Sequence, residues 1–491
     1  FGDHGVEALL GHESYRLIQN RQAGSKENFL IPNNPQLSNA VSIQSLTSSE
    51  NTYAVEGYFG QVRYNYLSKY LLSASFRRDG SSRFAPDSRW GNFYSVGAGY
   101  VISEEDFFQS VDFVDMLKIK ASYGLRGNDN IGNFYPYQDQ YSVVNNNGTL
   151  GTSFNYIGNP DITWEKNEDL DLGIEFRVFN RLSGTVTYFN RKTFDLLFST
   201  PLPLSSNPGF NVDRNLGDMK NWGWEIELNA DVVRSSDWNV RVGVNATKFK
   251  NEILRLPEHL RANGLTTGNF KYMEGRGIYD YYTYEFAGVN PQNGEALYNQ
   301  DEVVNGTPTG KKVTVNTTGT ATRYYICRSA INDVYGGVDF SVQYKNFDFA
   351  LLTSFALGGY VMDAPYAGLM YAGGGDVTTW HKDIANRWKQ PGDITDVPKI
   401  QLNYQQANSI SDRFLVDASY FNIRNISLGY TLPVKLTERF NMGGTRFYVV
   451  ADNVKLFSKR QGLDPRQGFA GQVFNAYAPI RTVSFGISTS F

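Results

Sequence analysis

The chain has 491 residues, with 49 acidic and 46 basic side chains and a net charge of −3, and this balance argues against a nucleic-acid-binding protein. Its mean hydropathy of −0.40 and the lack of any run of about 18 apolar residues exclude transmembrane helices. A membrane β-barrel stays open, because barrel strands are only half apolar, and the 32 Tyr, 33 Phe and 47 Gly suit aromatic girdles and Gly-punctuated strands.

Alternation of apolar and polar residues predicts fourteen β-strands along the chain. In the segment 69–79, for example, Leu72 and Phe76 lie on one face, and Ser73 and Arg77 lie on the other. The predicted strands are 5–19, 52–66, 69–79, 92–102, 115–127, 162–177, 181–196, 214–234, 237–250, 336–345, 348–360, 412–431, 444–456 and 480–491. Periodicity alone fits a soluble sandwich as well as a membrane barrel.

The connections between these strands alternate between short and long, and this alternation favours a barrel. Very short turns, such as Leu67-Ser68 and Ser235-Ser236, alternate with long connections. The long connections are 20–51, 80–91, 128–161, 197–213, 251–335, 361–411 and 457–479. Outer-membrane barrels have short periplasmic turns and long extracellular loops. The predicted fold is therefore an all-β, antiparallel transmembrane barrel with an even number of strands.

Two further features refine the predicted strands. The parity of the apolar residues changes near Asn425, which predicts a β-bulge in strand 412–431. The closing strand places Val483, Phe485 and Ile487 on one face and ends on Phe491. An abrupt aromatic end resembles the closing strand of an outer-membrane barrel, where the terminal residue resembles the signal read by barrel-assembly machinery. This orientation predicts that Phe491 lies at the periplasmic rim.

Several sequence runs, spread from about residue 52 to the C-terminus, occur together in the order typical of one family. They are 70–84 (YLLSASFRRDGSSRF), 90–97 (WGNFYSVG), 102–108 (ISEEDFF), 159–165 (NPDITWE), 221–228 (NWGWEIEL), 421–433 (FNIRNISLGYTLP), 452–458 (DNVKLFS) and 462–465 (GLDP). In these runs the chain resembles the SusC/RagA-type TonB-dependent outer-membrane transporters of Bacteroidetes.

The resemblance implies a larger assembly than this chain. Such transporters have a 22-stranded barrel with a plugged lumen. We therefore expect residues 1–491 to form the C-terminal part of the barrel, with eight strands, the plug and the TonB-contacting segment upstream of Phe1. The implied partners are this N-terminal barrel and plug portion, TonB, a SusD-like surface lipoprotein and the lipid bilayer. The implied location is the outer membrane, which the chain would cross many times.

The implied function is TonB-dependent import of an oligomeric nutrient, usually a glycan and sometimes a peptide. A passive outer-membrane porin is the first alternative, and a secreted β-rich glycan-binding or glycan-degrading protein is the second. The sequence predicts no catalytic site, no metal site and no cofactor. His4, His12, His259 and His381 are scattered without ligand spacing. Glu225 and Glu227 are explained more simply as lumen charges than as a glycosidase pair.

Two loop segments and one set of arginines are candidate contact sites. The segment YDYYTYEF (279–286) carries Tyr279, Tyr281, Tyr282 and Tyr284, which can contact cargo or a partner or can pack within the loops. The segment 380–392 predicts a short helix that ends at Pro391, with Trp380, Ile384 and Trp388 on one face. The arginines predicted to face the lumen are Arg63, Arg77, Arg126, Arg177 and Arg241. Salt bridges from them to the plug are favoured over a role in cargo selection.

Overall fold

The computed structural model describes residues 2–202, 211–371, 379–440, 442–460, 462–468, 471–474 and 476–490. Within them, fourteen antiparallel strands form one sheet in which each strand is hydrogen-bonded to its neighbours in sequence order. They are β1 (His4–Phe29), β2 (Ala40–Tyr66), β3 (Tyr70–Ser81), β4 (Trp90–Val101), β5 (Val114–Asn128), β6 (Glu165–Val178), β7 (Leu182–Phe194), β8 (Asp218–Arg234), β9 (Trp238–Arg255), β10 (Val334–Tyr344), β11 (Phe347–Leu357), β12 (Tyr420–Thr431), β13 (Thr445–Ser458) and β14 (Thr482–Thr489). Each predicted strand overlaps one of these, so the prediction of fourteen strands is confirmed.

The connections carry shorter elements. Their strands are Gln140–Asn146, Thr149–Tyr156, Leu197–Pro201, Asn211–Asn215, Leu265–Thr267, Phe270–Tyr272, Asp280–Tyr284, Phe286–Val289, Ala296–Val304, Thr307–Val315, Arg323–Ser329, Tyr360–Asp363, Leu415–Asp417 and Gln472–Val473. The α-helices are α1 (Glu258–Arg261), α2 (Ala364–Leu369) and α3 (Val434–Thr437). The 3₁₀ turns are Leu37–Asn39, Ile102–Glu104, Asp106–Phe108, Lys382–Asn386, Gln405–Asn408, Asp412–Phe414, Glu438–Phe440 and Pro465–Gln467. None of the helices in the described ranges is long and apolar enough to span a membrane.

The turns at one end of the sheet are tight, as the sequence predicts. Leu67 and Ser68 both adopt left-handed conformations, with φ of 55° and 58°, between β2 and β3. This backbone matches the twist of a two-residue antiparallel hairpin. The predicted bulge is also present, because the pairing of β12 with β13 shifts between Ile423 and Asn425. Arg424 is the extra residue, and the apolar parity of β12 changes there.

The first connection differs from its prediction. Residues 20–29 and 40–51, predicted as parts of one long loop, continue β1 and β2 as paired strands from Gln19 opposite Asn51 to Phe29 opposite Ala40, with one register shift between Ser25 and Lys26. The connection is therefore only 30–39. These strands have 26 and 27 residues, against the roughly 10 that a membrane-spanning strand needs. The outer parts of β1 and β2 show no alternation of apolar and polar residues. Their sequence therefore predicts a loop rather than a strand.

The chain divides into two compact units. The first unit comprises Phe1–Val101, Lys120–Leu172 and Arg191–Met219, and the second comprises Ile102–Ile119, Gly173–Asn190 and Lys220–Phe491. In the first unit, a small core of Phe84, Phe93, Ile162 and Trp164 lies under the connections. The Trp164 indole donates a 2.8 Å hydrogen bond to the Arg89 carbonyl, which satisfies its buried N–H.

Candidate ligand-binding site

The apolar faces of the sheet strands are exposed rather than buried in a core. On neighbouring strands, Leu72 is 52% exposed and Val96 is 51% exposed, and on the last strand Phe485 is 80% exposed. In a soluble sandwich these side chains would pack on a second sheet. Contiguous exposed apolar surface of this kind marks contact with a partner or a membrane. The arrangement therefore fits an outer face in contact with lipid.

The opposite, polar face carries ion pairs that involve four of the five predicted lumen arginines, and all but Arg77–Asp79 join different strands. The pairs, with their nitrogen–oxygen distances, are Arg63–Glu7 (3.6 Å), Arg77–Asp79 (2.7 Å), Arg77–Glu13 (2.8 Å), Arg126–Asp169 (2.6 Å) and Arg241–Asp231 (3.0 Å). Arg63, Arg126 and Arg241 are each more than half exposed, so their pairs contribute little to stability, at most about 1 kcal/mol each, whereas the Asp79 carboxylate is buried. Because these ion pairs use some of the guanidinium N–H donors, fewer remain to bind a separate carboxylate.

The fifth arginine lies in a more open, basic environment. Arg177, Arg181 and Arg241 line a polar cavity of about 450 Å³ together with one carboxylate, Asp231. Arg177 has no ion-pair partner within the part of the chain that the structure describes. Three guanidinium groups against one carboxylate give this cavity a local excess of positive charge, which favours an anionic group.

The long connections of the second unit fold onto a common hydrophobic cluster, here called the loop core. Its buried members are Tyr281, Met362, Ala367, Met370, Ile384, Val397, Ala407, Phe414 and Leu415. Tyr281 is fully buried, and its hydroxyl donates to the carbonyls of Gly471 (2.6 Å) and Tyr360 (3.0 Å). Burial raises the pKa of Tyr281 well above its usual value. The suggestion that Tyr281 contacts cargo or a partner is therefore wrong, because its ring is enclosed by the loops.

The other tyrosines of segment 279–286 are only partly buried, and two of them carry cations on their rings. Lys271 lies 4.7 Å from the ring centre of Tyr282, and the guanidinium of Arg323 lies 5.0 Å from that of Tyr284. Tyr279 contacts Phe270 edge to face at 5.7 Å. These contacts hold the rings in place while leaving part of each accessible, so their contact with a ligand stays a prediction.

The prediction of a helix over 380–392 is wrong beyond the first turn. Only Lys382–Asn386 form a 3₁₀ turn, which begins where the His381 ring accepts from the Asp383 amide at 3.2 Å. Trp388 leaves the turn because its amide donates to the Val397 carbonyl and its indole donates to the Pro291 carbonyl, both at 2.9 Å. These tertiary hydrogen bonds replace the helical ones. Ile384 is buried in the loop core, whereas Trp380 is 45% exposed.

A largely buried arginine ties two connections together beside the loop core. The guanidinium of Arg413 lies between the rings of Phe286 and Phe414, 5.1 Å from each centre. Desolvation lowers the pKa of Arg413. The neighbouring carboxylate of Asp412 accepts the Phe286 amide at 2.8 Å, and burial raises its pKa. The segment 279–286 is thereby anchored at its C-terminal end.

A concave, aromatic-lined feature of the second unit lies where its strands meet these loops. A cavity of about 400 Å³, here called the tyrosine cavity, is lined by Phe249, Tyr279, Ala330, Ile331, Asn332, Tyr335, Ala356, Tyr360, Val361, Ala418, Tyr420, Pro465, Arg466 and Gly468. Pockets of a few hundred Å³ with aromatic walls and few polar groups are typical of ligand sites. Its position at the loop end of β9, β10, β11 and β12 suits a ligand that approaches from the side of the loops.

The sequence prediction missed this cavity, although a signal for it exists. Phe249 on β9 and Tyr335 on β10 lie on the face of the sheet that otherwise carries polar side chains. Tyr420 lies on the same face of β12, on the N-terminal side of the bulge. Aromatic residues on the polar parity near the loops would have marked it. The predicted terminal signal, Phe491, lies outside the described residues. No group of His, Cys, Asp or Glu suited to a metal ion is present in the described ranges.

Known proteins resemble the chain over nine-tenths or more of its length. Residues 2–454 match the family described as TonB dependent receptor-like, beta-barrel. The chain is 28% identical to TonB-dependent receptor P3 of Formosa agariphila, with 100% of this chain and 51% of that protein aligned. It is 30% identical to TonB-dependent receptor SusC of Bacteroides thetaiotaomicron, over 91% of this chain and 44% of that protein.

Among solved structures, that of the RagAB peptide transporter superposes on the chain with a TM-score of 0.89 at 28% identity. The match covers 100% of this chain and 54% of that one. The chain thus spans about half the length of the relatives that it matches.

Proposed function

Because the chain belongs to the family of TonB-dependent receptor-like β-barrels, we propose that the protein containing it imports an oligomeric nutrient across the outer membrane. The cargo would be a glycan or a peptide, and TonB would supply the energy. The likeness to SusC over 91% of the chain and to the RagAB peptide transporter over 100% of it carries this proposal. The exposed apolar faces of the strands support it, because they suit an outer-membrane location.

We propose two partners, one that contacts the long connections and one that contacts the basic cavity. A SusD-like surface lipoprotein would contact the long connections, where Trp380, Tyr282 and Tyr284 offer partly exposed aromatic rings. TonB would act through a plug domain rather than on the barrel wall. We propose that acidic side chains of this plug bind the basic cavity of Arg177, Arg181 and Arg241, since its positive charge is only partly neutralised by Asp231.

The role that we propose is transport without chemical conversion of the cargo. The tyrosine cavity and the basic cavity offer binding surfaces, and neither presents a nucleophile paired with a base. The protein would therefore bind and release an unchanged substrate. Processing of the oligomer would fall to other proteins.

Uptake in living cells tests the energised mechanism against a passive pore. Wild-type cells and cells lacking the gene are grown on a panel of glycans and peptides as sole nutrients, and depletion of each nutrient is measured. We expect the deletion to abolish use of one class of oligomer, and we expect a protonophore to stop its accumulation in wild-type cells. Accumulation that continues after the proton gradient has collapsed would instead establish a passive porin.

A further inference from the structure

The register of three neighbouring strands builds the floor of the tyrosine cavity. Ala356 on β11 pairs with Tyr335 on β10 on one side and with Tyr420 on β12 on the other. Adjacent strands lie about 4.8 Å apart, so the two tyrosines stand on backbones separated by about 10 Å with only a methyl group between them. A small residue flanked by two large ones leaves a cleft. Phe249 closes one end, edge to face with Tyr335 at 6.3 Å.

Two residues of the cavity wall, Asn332 and Tyr360, are held in place by contacts with residues outside the lining. Asn332 donates a 2.7 Å hydrogen bond to the Gly358 carbonyl, and the Tyr360 carbonyl accepts from the buried Tyr281 hydroxyl at 3.0 Å. The Arg328 guanidinium lies 4.6 Å from the centre of the Tyr360 ring. The wall therefore needs little reordering when a ligand binds, which lowers the entropic cost of binding.

The polar groups of the lining favour an uncharged ligand. Arg466 is the one charged side chain in the lining, and its guanidinium is occupied by two hydrogen bonds to Asp464, at 2.8 Å and 2.6 Å. The hydroxyls of Tyr335, Tyr360 and Tyr420 make no hydrogen bond to any other residue that the structure describes. They remain able to donate to, or accept from, a ligand that has hydroxyl groups of its own.

We propose that the tyrosine cavity binds one neutral glycosyl unit of the cargo, a proposal that rests on the import function above. The C–H faces of the sugar ring stack between Tyr335 and Tyr420 over Ala356, and its hydroxyls bond the tyrosine hydroxyls and Asn332. A charged sugar or a peptide terminus finds no unpaired opposite charge in this lining. The cavity thereby selects neutral glycan over peptide at the loop end of the barrel wall.

Binding measurements on the intact protein purified from its own outer membrane test this assignment. The probes are maltohexaose, cellohexaose and laminarihexaose, with an uncharged hexapeptide as the comparison. The variants are Tyr335→Phe and Tyr420→Phe, which keep both rings and remove only the hydroxyls. The matched control is Tyr344→Phe on the same strand β10, whose ring lies on the apolar face against Trp238 at 4.2 Å.

We expect at least one oligosaccharide to bind, with Kd rising about fivefold for each hydroxyl removed and unchanged in the control. Ala356→Leu, which fills the floor, should abolish binding while the protein still assembles. Failure of all three oligosaccharides to bind, binding that ignores both tyrosine variants, or tighter binding of the peptide through the same tyrosines would overturn the assignment. Energy-dependent uptake whose half-saturating oligosaccharide concentration is unchanged when Tyr335→Phe and Tyr420→Phe are combined would refute this cavity alone, whereas absence of energy-dependent uptake from wild-type cells would refute the import function.

Discussion

Arg460 and Asp363 form a salt bridge beside the loop core. The guanidinium donates from Nε to Oδ2 of Asp363 at 3.0 Å and from Nη2 to the same oxygen. The Asp363 side chain is almost fully buried, and its Oδ1 accepts the Tyr366 amide at 3.1 Å at the start of α2. One carboxylate therefore joins the connection after β13 to the helix in the preceding long connection.

Asp363→Asn should destabilise the loop core by about 3 kcal/mol, because it leaves the Arg460 charge without its buried counterion. The measurement is the rate of limited proteolysis of the loops in the detergent-purified protein. The control is Asp237→Asn, which breaks the Lys345–Asp237 pair, 3.7 Å long and with both side chains more than half exposed. Its loss should cost less than about 1 kcal/mol. Equal proteolysis of the two variants would show that burial of Asp363 does not matter.

Gly471→Ala should disturb the loop core through both backbone and side-chain effects. Gly471 has φ of +77°, and a Cβ there would lie 2.7 Å from the Tyr281 hydroxyl and 2.8 Å from the Ala330 Cβ. Gly462→Ala is the matched control, because its φ is +84° and no atom lies within 4 Å of the added Cβ. The left-handed conformation alone costs about 1–2 kcal/mol in either variant.

The difference between the two glycine variants therefore isolates the clash with Tyr281. We expect Gly471→Ala to lower the thermal transition of the loops further than Gly462→Ala does and to alter the near-ultraviolet circular dichroism of buried tyrosine. Matching transitions for the two variants would mean that the loops relax around the added methyl group at no cost.

The sequence predicts the sheet well because every membrane-spanning strand has two different environments. Leu72 and Ser73, adjacent on β3, must face opposite sides, so the alternation reveals both the strand and its orientation. The tight turn at Leu67-Ser68 and the bulge at Arg424 interrupt this alternation at single residues and are equally visible. The outer halves of β1 and β2 stand beyond the part that alternates, so their pairing leaves no such trace.

The loops and the tyrosine cavity depend on contacts between residues that are distant in sequence. Tyr281 is enclosed only because Tyr360 and Gly471 approach it from two other connections. The cleft over Ala356 exists only because the registers of β10, β11 and β12 align it with Tyr335 and Tyr420. Local periodicity carries no information about either arrangement. A count of aromatic residues in the loops therefore could not separate core residues from accessible ones.

Alkaline pH should loosen the long connections of the second unit through two tyrosines. Tyr366 packs against the loop core, and the buried Tyr298 donates its hydroxyl to the Gln406 carbonyl at 2.6 Å. Burial raises the pKa of Tyr298 from its usual value of 10.0 to about 12, and burial with a hydrogen bond to Asp383 raises that of Tyr366 to about 12. A raised folded-state pKa means that the stabilisation is complete below pH 10 and is lost as the pH rises from 10 to 12. Tyrosinate absorbance and loop proteolysis, followed together, should change over this window.

A substitution distinguishes this effect from general alkaline unfolding. In Tyr366→Phe the phenol that must ionise is gone, so part of the loss in protection between pH 10 and 12 should disappear. The exposed Tyr477→Phe serves as the control and should leave the pH profile of proteolysis unchanged. Loss of protection that begins below pH 10 in all three proteins would contradict the proposed role of these tyrosines.

Val96→Arg should impair assembly in the membrane, whereas Ser95→Arg should not. Both residues are exposed near the middle of the twelve-residue strand β4, but they lie on opposite faces. Ser95 is on the polar face, where its hydroxyl lies 2.7 Å from that of Ser75, and Val96 is on the apolar face opposite Ala74. An arginine near the middle of a bilayer costs about 2–4 kcal/mol, whereas one on the wet face costs little. The readouts are the amount of protein in the outer membrane and its heat-modifiable migration on gels. Equal assembly of the two variants would show that the face carrying Val96 does not contact lipid.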